Sequence, residues 1–319
     1  MVLKEMRNDI EVVGRLKSHT LKEVVTAKGN EAVMGRVVIE VIDGDNINNI
    51  QLSSYAGKIN RKGEVSKLFK SLLTVATEYK TIDVDGYDEA DMVSVTGNIT
   101  INDYKRDDVL VTTNQNRSLF FTRLTDKNVE QHAIAKVDVV VENFIDELDA
   151  EGIPTGNFKV KGMTAGYGSK IIPLKNMIIK EKTSKGADLA QTFKDLYIDG
   201  STGTLTLKLN NHPDKTSKDE FATLEQVGFG EEVELESELY GNFINNIEII
   251  GGTLPFSPEF EVSAEDILEM KKLRETQKAV AENATPKPKP DMTQREGFGE
   301  AAKQMNELPS VGDSSIPKF

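Results

Sequence analysis

The sequence predicts a mainly β protein with two OB-like β-barrels, a helix after them and a disordered C-terminal tail. Two features carry this prediction. Runs rich in Val and Ile alternate with short polar turns, which is typical of antiparallel sheets. In each half of the chain, one segment with apolar residues three and four apart interrupts these runs, and that spacing predicts an amphipathic helix.

The first half shows the order of elements most clearly. The predicted strands are residues 10–16, 31–42, 47–55, 92–101, 109–113 and 118–124, with a turn over 103–108. The predicted helix covers residues 63–79, between the third and fourth strands. Three strands, a helix and then the closing strands form the order of an OB-fold barrel.

The second half repeats this order less regularly. The predicted strands are residues 136–144, 156–163, 170–180, 203–209, 232–239 and 243–250. A short helix is predicted over 188–197. The pattern favours a second β-barrel, either as a degenerate copy of the first or as an unrelated β-rich domain.

The composition changes along the chain and predicts four regions. These are an OB-fold domain over 1–130, an acidic β-rich domain over 131–262, a helix over 263–284 and a disordered linker with a partner-binding tip over 285–319. Ser263 and Asp266 have the spacing of a capping box, which predicts where the helix begins. The alternating Pro and Lys residues of 286–290 predict an extended linker.

The composition also excludes several classes of protein. The 319 residues include no Cys and only three His, which excludes disulfide scaffolds and thiolate metal sites and argues against a multi-His metal centre. No apolar run approaches 18 residues and no signal peptide is recognisable, so we expect no membrane association. The expected location is the cytoplasm, or the host cytoplasm if the protein is phage-encoded.

No catalytic motif stands out, and we expect neither an enzyme nor a cofactor or metal. The glycine-rich segment 162–170 lacks the spacing of a phosphate-binding loop. The acidic segment 83–91 lacks the Gly and Glu positions of an EF-hand. A nuclease would need metal-binding carboxylates, and the only dense candidates are Asp83, Asp85, Asp88 and Asp91.

The first half instead combines cations with aromatic rings, which is the chemistry that binds single-stranded nucleic acid. Lys and Arg neutralise phosphates, and flat rings stack on unpaired bases. The net charge of −13 argues only weakly against this, because most of the excess acid lies between residues 131 and 262. The candidate contact residues are Arg15, Lys17, Arg36, Tyr55, Lys58, Arg61, Lys62, Tyr104, Lys105, Arg106, Arg117, Phe120 and Arg123. Of the adjacent Phe120 and Phe121, alternation places one inside the barrel and one outside.

The strands at 10–16 and 93–99 resemble those of the single-stranded DNA-binding protein family. The second of these has that family's Val-x-Val-x-Gly-x-apolar pattern. The last residues, 312–319, resemble the family's C-terminal tip, although only Asp313 is acidic and Lys318 interrupts the tip. The resemblance implies that Ile316, Pro317 and Phe319 contact replication or repair proteins.

The function expected from the sequence is sequence-independent binding of single-stranded DNA in replication or recombination. The acidic second half is expected to contribute little to DNA binding. The alternative is a β-rich structural or assembly protein of a virion that binds no nucleic acid. A self-assembled oligomer is compatible with either function.

Overall fold

A computed structural model describes residues 3–26, 28–106, 109–148, 151–183, 186–213, 243–256 and 262–283. The strands of these residues are β1 (Asn8–His19), β2 (Lys22–Val25), β3 (Glu31–Asp43), β4 (Asn46–Gly57), β5 (Met92–Arg106), β6 (Val109–Leu124), β7 (His132–Leu148), β8 (Pro154–Gly166), β9 (Lys170–Ile179), β10 (Thr202–Pro213) and β11 (Phe243–Gly252). The helices are α1 (Lys67–Glu78), α2 (Ile82–Asp85), α3 (Leu189–Leu196) and α4 (Ala264–Glu282), with a 3-10 turn at Tyr167–Ser169.

The first barrel closes through five strands in OB order. β1 pairs antiparallel with both β3 and β5, β3 pairs with β4, and β5 pairs with β6. A parallel contact between Ser53 of β4 and Arg117 of β6 completes the ring. α1 lies in sequence between the third and fourth barrel strands, as predicted. The short β2 adds an edge strand beside β3.

The second barrel has the same strand order as the first. β7 pairs antiparallel with β8 and β10, β8 with β9, and β10 with β11. Here too the ring closes through a parallel contact, between Ile247 of β11 and Met177 of β9. α3 again lies between the third and fourth strands. The predicted OB-like fold class is therefore confirmed, and the second barrel is a topological copy of the first.

The two barrels are joined by the pairing of one strand from each. The first half of β1 pairs with β7, from Asn8 opposite Val137 to Val13 opposite His132. One continuous hydrophobic core includes residues of both barrels, among them Val12, Leu52, Val139 and Leu207. Since burying each such side chain contributes about 1.5–3 kcal/mol, this shared core stabilises both barrels together.

α1 closes one end of the first barrel with its apolar face. Phe69, Leu72 and Val75 are buried at a spacing of three, as a helix packed on one side requires. The helix begins at Lys67 rather than near residue 63, because the Ser66 hydroxyl accepts a hydrogen bond from the Phe69 N–H and caps it. The residues just before it form a turn closed by a bridge between Ile59 and Val65.

The hairpin of β5 and β6 is longer than predicted. The turn expected over 103–108 is wrong at its start, because β5 continues to Arg106. The two strands predicted over 109–113 and 118–124 form the single strand β6. The polar residues between them lack an apolar pattern, but their backbone pairs with Ile99 and its neighbours in β5. Backbone pairing therefore continues where the side-chain pattern does not show it.

Gly97 in β5 lies at an irregularity of this hairpin where no side chain fits. A Cβ atom at this position would lie 2.0 Å from the carbonyl oxygen of Arg117. We expect Gly97→Ala to lower the free energy of unfolding by about 1–3 kcal/mol, since the backbone must move to relieve the overlap. Urea denaturation measures this change. The matched control is Gly251→Ala in β11, where nothing lies within 4 Å of the added methyl group. Equal effects of the two substitutions would contradict the prediction.

α4 packs across both barrels. The Ser263 hydroxyl accepts a hydrogen bond from the Asp266 N–H (3.1 Å) and donates one to the Asp266 carboxylate (2.8 Å), which confirms the predicted cap. Met270 is buried in a small core that includes Ile171 of the second barrel. On the same helix, Arg274 makes a bidentate ion pair with Asp103 of the first barrel, with N–O distances of 2.7 and 2.8 Å. The helix therefore ties the hairpin of one barrel to the core of the other.

Candidate nucleic-acid interface

An open cleft of about 640 Å³ lies on the outer face of β3, β4 and β6. Alternation along the strands determines which side chains reach it. In β3, Val33 and Val37 point into the core while Met34 and Arg36 point outward. In β4, Tyr55 points outward and is 45% exposed. The cleft is lined by Thr20, Met34, Gly35, Arg36, Ser53, Ser54, Tyr55, Thr100, Gln115 and Arg117.

The strand register aligns two arginines across this cleft. Arg36 lies opposite Ser53 in the β3–β4 pairing, and Ser53 lies opposite Arg117 in the parallel pairing with β6. Neighbouring strands are roughly 4.8 Å apart, so the two arginine backbones are separated by about 10 Å. Tyr55 is two residues beyond Ser53 on the same face. Neither arginine forms an ion pair with another residue of the described ranges. The cleft therefore presents two cations in a row beside one aromatic ring.

A second cleft, of about 330 Å³, continues the first into the junction between the barrels. Arg36, Ser53 and Gln115 line both clefts. Its other lining residues are Ile50, Gln51, Thr112, Thr113, Asn114, Asn116, Lys175, Leu209, Asn210, Asn211, Asn245, Asn246 and Ile247.

Hydrogen bonds between the barrels fix the walls of this junction. The Asn114 side chain of β6 donates to the Pro173 carbonyl oxygen (2.8 Å) and accepts from the Lys175 N–H (2.9 Å). The Lys175 ammonium donates to the Thr112 carbonyl oxygen at 3.2 Å. The Asn211 N–H donates to the side-chain oxygen of Asn48 in β4 at 2.9 Å. These hydrogen bonds fix the two barrels relative to each other at the junction.

A third cleft, of about 650 Å³, extends along the second barrel. It lies on β8, β9 and β11, the strands that correspond to β3, β4 and β6. Lys175, Asn245 and Asn246 line both this cleft and the junction. We call the three connected clefts the groove. Its second-barrel part holds Lys159, Lys161, Lys175 and Phe243, with Glu142 and Glu147 at its side.

Of the thirteen predicted contact residues, three line the groove: Arg36, Tyr55 and Arg117. Two others are held by the protein itself. Arg15 donates to the Tyr87 carbonyl oxygen at 3.0 Å, and its guanidinium lies 4.3 Å from the Tyr87 ring centroid. Arg123 pairs with Asp91 at 3.1 Å and lies 4.2 Å from the centroid of the Tyr79 ring. These two arginines brace the segment that joins α1 to β5.

The remaining predicted cations lie outside the groove. Lys17 pairs with Glu40 at 3.5 Å. Lys58 forms an ion pair with Glu31, and the hydrogen bond from Lys58 to this carboxylate raises the pKa of Lys58. Arg61 and Lys62 are exposed in the turn after β4, while Tyr104, Lys105 and Arg106 are exposed at the end of β5. The residues predicted at the C-terminal tip, Ile316, Pro317 and Phe319, and the strand predicted over 232–239 lie outside the described residues.

The structure distinguishes the two adjacent phenylalanines. Phe121 is buried in the first barrel, and Phe120 is 57% exposed. Phe120 lines a separate cleft of about 370 Å³ with Arg7, Ile134 and Lys136, close to the β1–β7 pairing. It is the outward-facing ring of the pair, but it does not line the groove.

Two of the four aspartates in the dense acidic segment 83–91, Asp85 and Asp91, have structural partners. Asp85 accepts a hydrogen bond from the Thr81 N–H (2.8 Å), and Asp91 accepts one from the Lys80 N–H (2.9 Å) besides pairing with Arg123. Among the residues that the structure describes, no three His, Cys, Asp or Glu side chains are placed to hold a metal ion. In the same part of the chain, no helix has the length and apolar character needed to cross a membrane.

The second-barrel part of the groove was not predicted from the sequence. Lys159, Lys161 and Lys175 belong to the half that was expected to contribute little to binding. One signal in the sequence could have found the junction. Paired asparagines interrupt apolar residues in three strands, at 47–50, 209–212 and 244–247, and two of these pairs line the junction. Two adjacent polar residues inside an otherwise apolar strand indicate that this part of the strand faces solvent or a cleft.

A family model described as YorF matches residues 7–285 of the chain. This chain belongs to the YorF family. The match to the YorF model covers both barrels and α4. No curated protein matches this YorF-family chain in sequence.

Two solved structures resemble the YorF-family chain loosely. They are the wild-type single-stranded DNA-binding protein from Thermus aquaticus and a deletion mutant of it. Each is 10% identical and covers 82% of this chain, and the alignments cover 99% and 100% of those chains. The TM-scores are 0.47 and 0.44, which mark a distant likeness.

Proposed function

We propose that this protein binds single-stranded DNA along the groove. The observation that carries the proposal is the charge of the surface. In a chain with a net charge of −13, no carboxylate is among the residues that line the first cleft or the junction. Arg36, Arg117 and Lys175 are the charged side chains there. Local potential governs binding in a cleft, so this region attracts phosphate although the whole chain is acidic.

The geometry of the first cleft suits a single strand. Arg36 and Arg117 neutralise neighbouring phosphates, and the exposed ring of Tyr55 stacks on an unpaired base. Such stacking contributes about 1–3 kcal/mol per base and accepts every base, because each has a π face. OB-folds commonly bind oligonucleotides on this same face, formed by their second and third strands. Binding at this cleft is thus independent of sequence.

The experiment is a fluorescence anisotropy titration of the full chain with a labelled 30-nucleotide dT strand at several salt concentrations. We expect binding at low salt, with a slope of log K against log salt of about −0.7 for each phosphate neutralised. A duplex of equal length is expected to bind more weakly, because its bases cannot stack on Tyr55. Absence of dT binding at low salt would refute the proposal and favour an assembly role.

A role in replication or recombination, with Ile316, Pro317 and Phe319 contacting partner proteins, stays a prediction from the sequence. It predicts that substitution of these three residues leaves the affinity for dT unchanged. Binding of a purified replication or repair protein should then be lost, which a pull-down with both purified proteins would test.

A further inference from the structure

We propose that the junction cleft holds one unstacked base and gives the protein a preference for adenine. This inference rests on the proposed binding of single-stranded DNA and adds a base-recognition site to it. Half of the residues that line the junction carry side-chain amides, and none is aromatic or acidic. These amide residues are Gln51, Asn114, Gln115, Asn116, Asn210, Asn211, Asn245 and Asn246. Bases are recognised here through hydrogen bonds, in contrast to the stacking at Tyr55.

Some of these amides form the scaffold of the cleft. Both polar atoms of the Asn114 side chain are used in the bonds to Pro173 and Lys175. The Asn210 amide donates to the Asn246 side-chain oxygen (3.0 Å) and to the Glu248 carboxylate (3.1 Å). These bonds tie β6 to β9 and β10 to β11 around the cleft.

Other amides in the junction are available to a ligand. Within the described part of the chain, the side chains of Gln51, Gln115, Asn116, Asn211 and Asn245 make no hydrogen bond to protein. Each offers a donor and an acceptor on one planar group. A ligand that enters the cleft displaces the water bound to these amides. Each amide therefore favours a ligand that replaces the hydrogen bonds of both its nitrogen and its oxygen.

The size and ends of the cleft fit a single nucleotide. Its volume of about 330 Å³ is at the lower limit of small-ligand sites, which span roughly 300–1,000 Å³. Arg36 lies where the junction meets the first-barrel cleft, and Lys175 lies where it meets the second. A DNA strand that follows the groove therefore meets one cation at each of the two phosphates that flank the base in the junction.

The amide chemistry favours adenine. Asn and Gln pair with the N6 amino group and the N7 acceptor of adenine through two hydrogen bonds. The N6 group and N1 offer the same donor and acceptor on a second edge. Because N6 carries two hydrogens, two amides can pair with one adenine at the same time. Thymine has a single N3–H donor and cytosine a single pair of N4 and N3, so each of them pairs with only one amide at a time.

The test compares the dT 30-mer with a 30-mer in which every third thymine is replaced by adenine, a spacing that avoids self-stacking of adenines. We expect the full chain to bind the adenine-containing strand at least about 5-fold more tightly, since one bidentate pair contributes about 1–3 kcal/mol. Asn116→Leu with Asn245→Leu should reduce this ratio to below 2-fold. The salt slope of dT binding should stay unchanged, because no charge is altered.

The control and a milder variant separate the outcomes. Asn128→Leu, on an exposed residue outside the groove, should keep the preference. Gln115→Met removes one exposed amide at nearly constant volume and should lower the ratio even if the double variant fails to fold. Equal affinity of the unmodified chain for both strands, or a ratio unchanged in these amide variants, would overturn the inference alone. Failure to bind either strand would instead overturn the proposed function.

Discussion

Replacing Arg36 and Arg117 together by Glu is expected to weaken binding of the dT 30-mer by about 100-fold or more. Each arginine is placed to form a charge-assisted hydrogen bond to phosphate, which contributes about 1.5–3 kcal/mol, and each glutamate adds repulsion. The fold should be unaffected, because both side chains point out of the barrel and neither forms an ion pair with another residue of the described ranges. The salt slope should also become shallower by about 0.7 for each lost phosphate contact.

The matched control is Lys67→Glu with Lys70→Glu, which changes the net charge by the same amount. These two lysines are exposed on α1 and line none of the clefts. Their replacement should change the affinity by less than about 3-fold, since exposed charges beyond a Debye length of about 8–10 Å are largely screened. If both pairs of substitutions weaken binding equally, the affinity comes from overall charge and the groove is not the binding site.

Arg274→Met is expected to have the largest effect on stability, lowering the free energy of unfolding by about 3 kcal/mol or more at pH 7. The side chains of Arg274 and Asp103 are only 7% and 13% exposed. Removing Arg274 leaves the Asp103 carboxylate with the hydrogen bond from the Thr112 hydroxyl (2.7 Å) but without its guanidinium partner, and breaking a buried pair costs about 3–5 kcal/mol. Urea denaturation followed by circular dichroism measures the change. Asp103→Leu combined with Arg274→Met should recover much of the loss, because an apolar pair leaves no buried charge.

The pH dependence gives an independent check on this ion pair. The hydrogen bonds from Arg274 hold the pKa of Asp103 below its ordinary value of 3.8. A carboxyl group whose pKa is lower in the folded state stabilises the protein fully above its unfolded pKa, and this contribution is lost as the pH falls through the folded pKa. The stability difference between the wild type and Arg274→Met should therefore shrink on acidification below pH 4. A difference that stays constant down to pH 2 would contradict the assigned role of Asp103.

The sequence predicts the barrels well because their cores depend on local patterns. Strand alternation, glycine turns and the change to helical spacing at Leu68 to Leu73 are all visible within short windows. The polar middle of β6 is not, because its pairing with β5 satisfies the backbone and needs no apolar side chains. The pairing of β1 with β7 also depends on contacts far apart in sequence, which periodicity does not report.

The site was predictable only in part, for a related reason. Alternation shows that Arg36 and Tyr55 point out of their barrel, but not toward which side of the molecule, and the structure places both on the groove. Arg123 lies two residues after the buried Phe121, so alternation does not predict that its side chain turns to Asp91 and Tyr79. Lys175 was missed because the region 131–262 is acidic as a whole, although residues 170–182 are locally basic. Its position opposite Thr112 is set by packing between the barrels.

The pairing of β1 with β7 has a practical consequence for dissecting this protein. Without the second barrel, the backbone groups of Asn8 to Val13 that bond to β7 would form an open sheet edge. Unprotected edges of this kind pair with other chains and promote aggregation. Truncation between the barrels is therefore expected to yield insoluble material. The contribution of each barrel is better determined by point substitutions in the full chain.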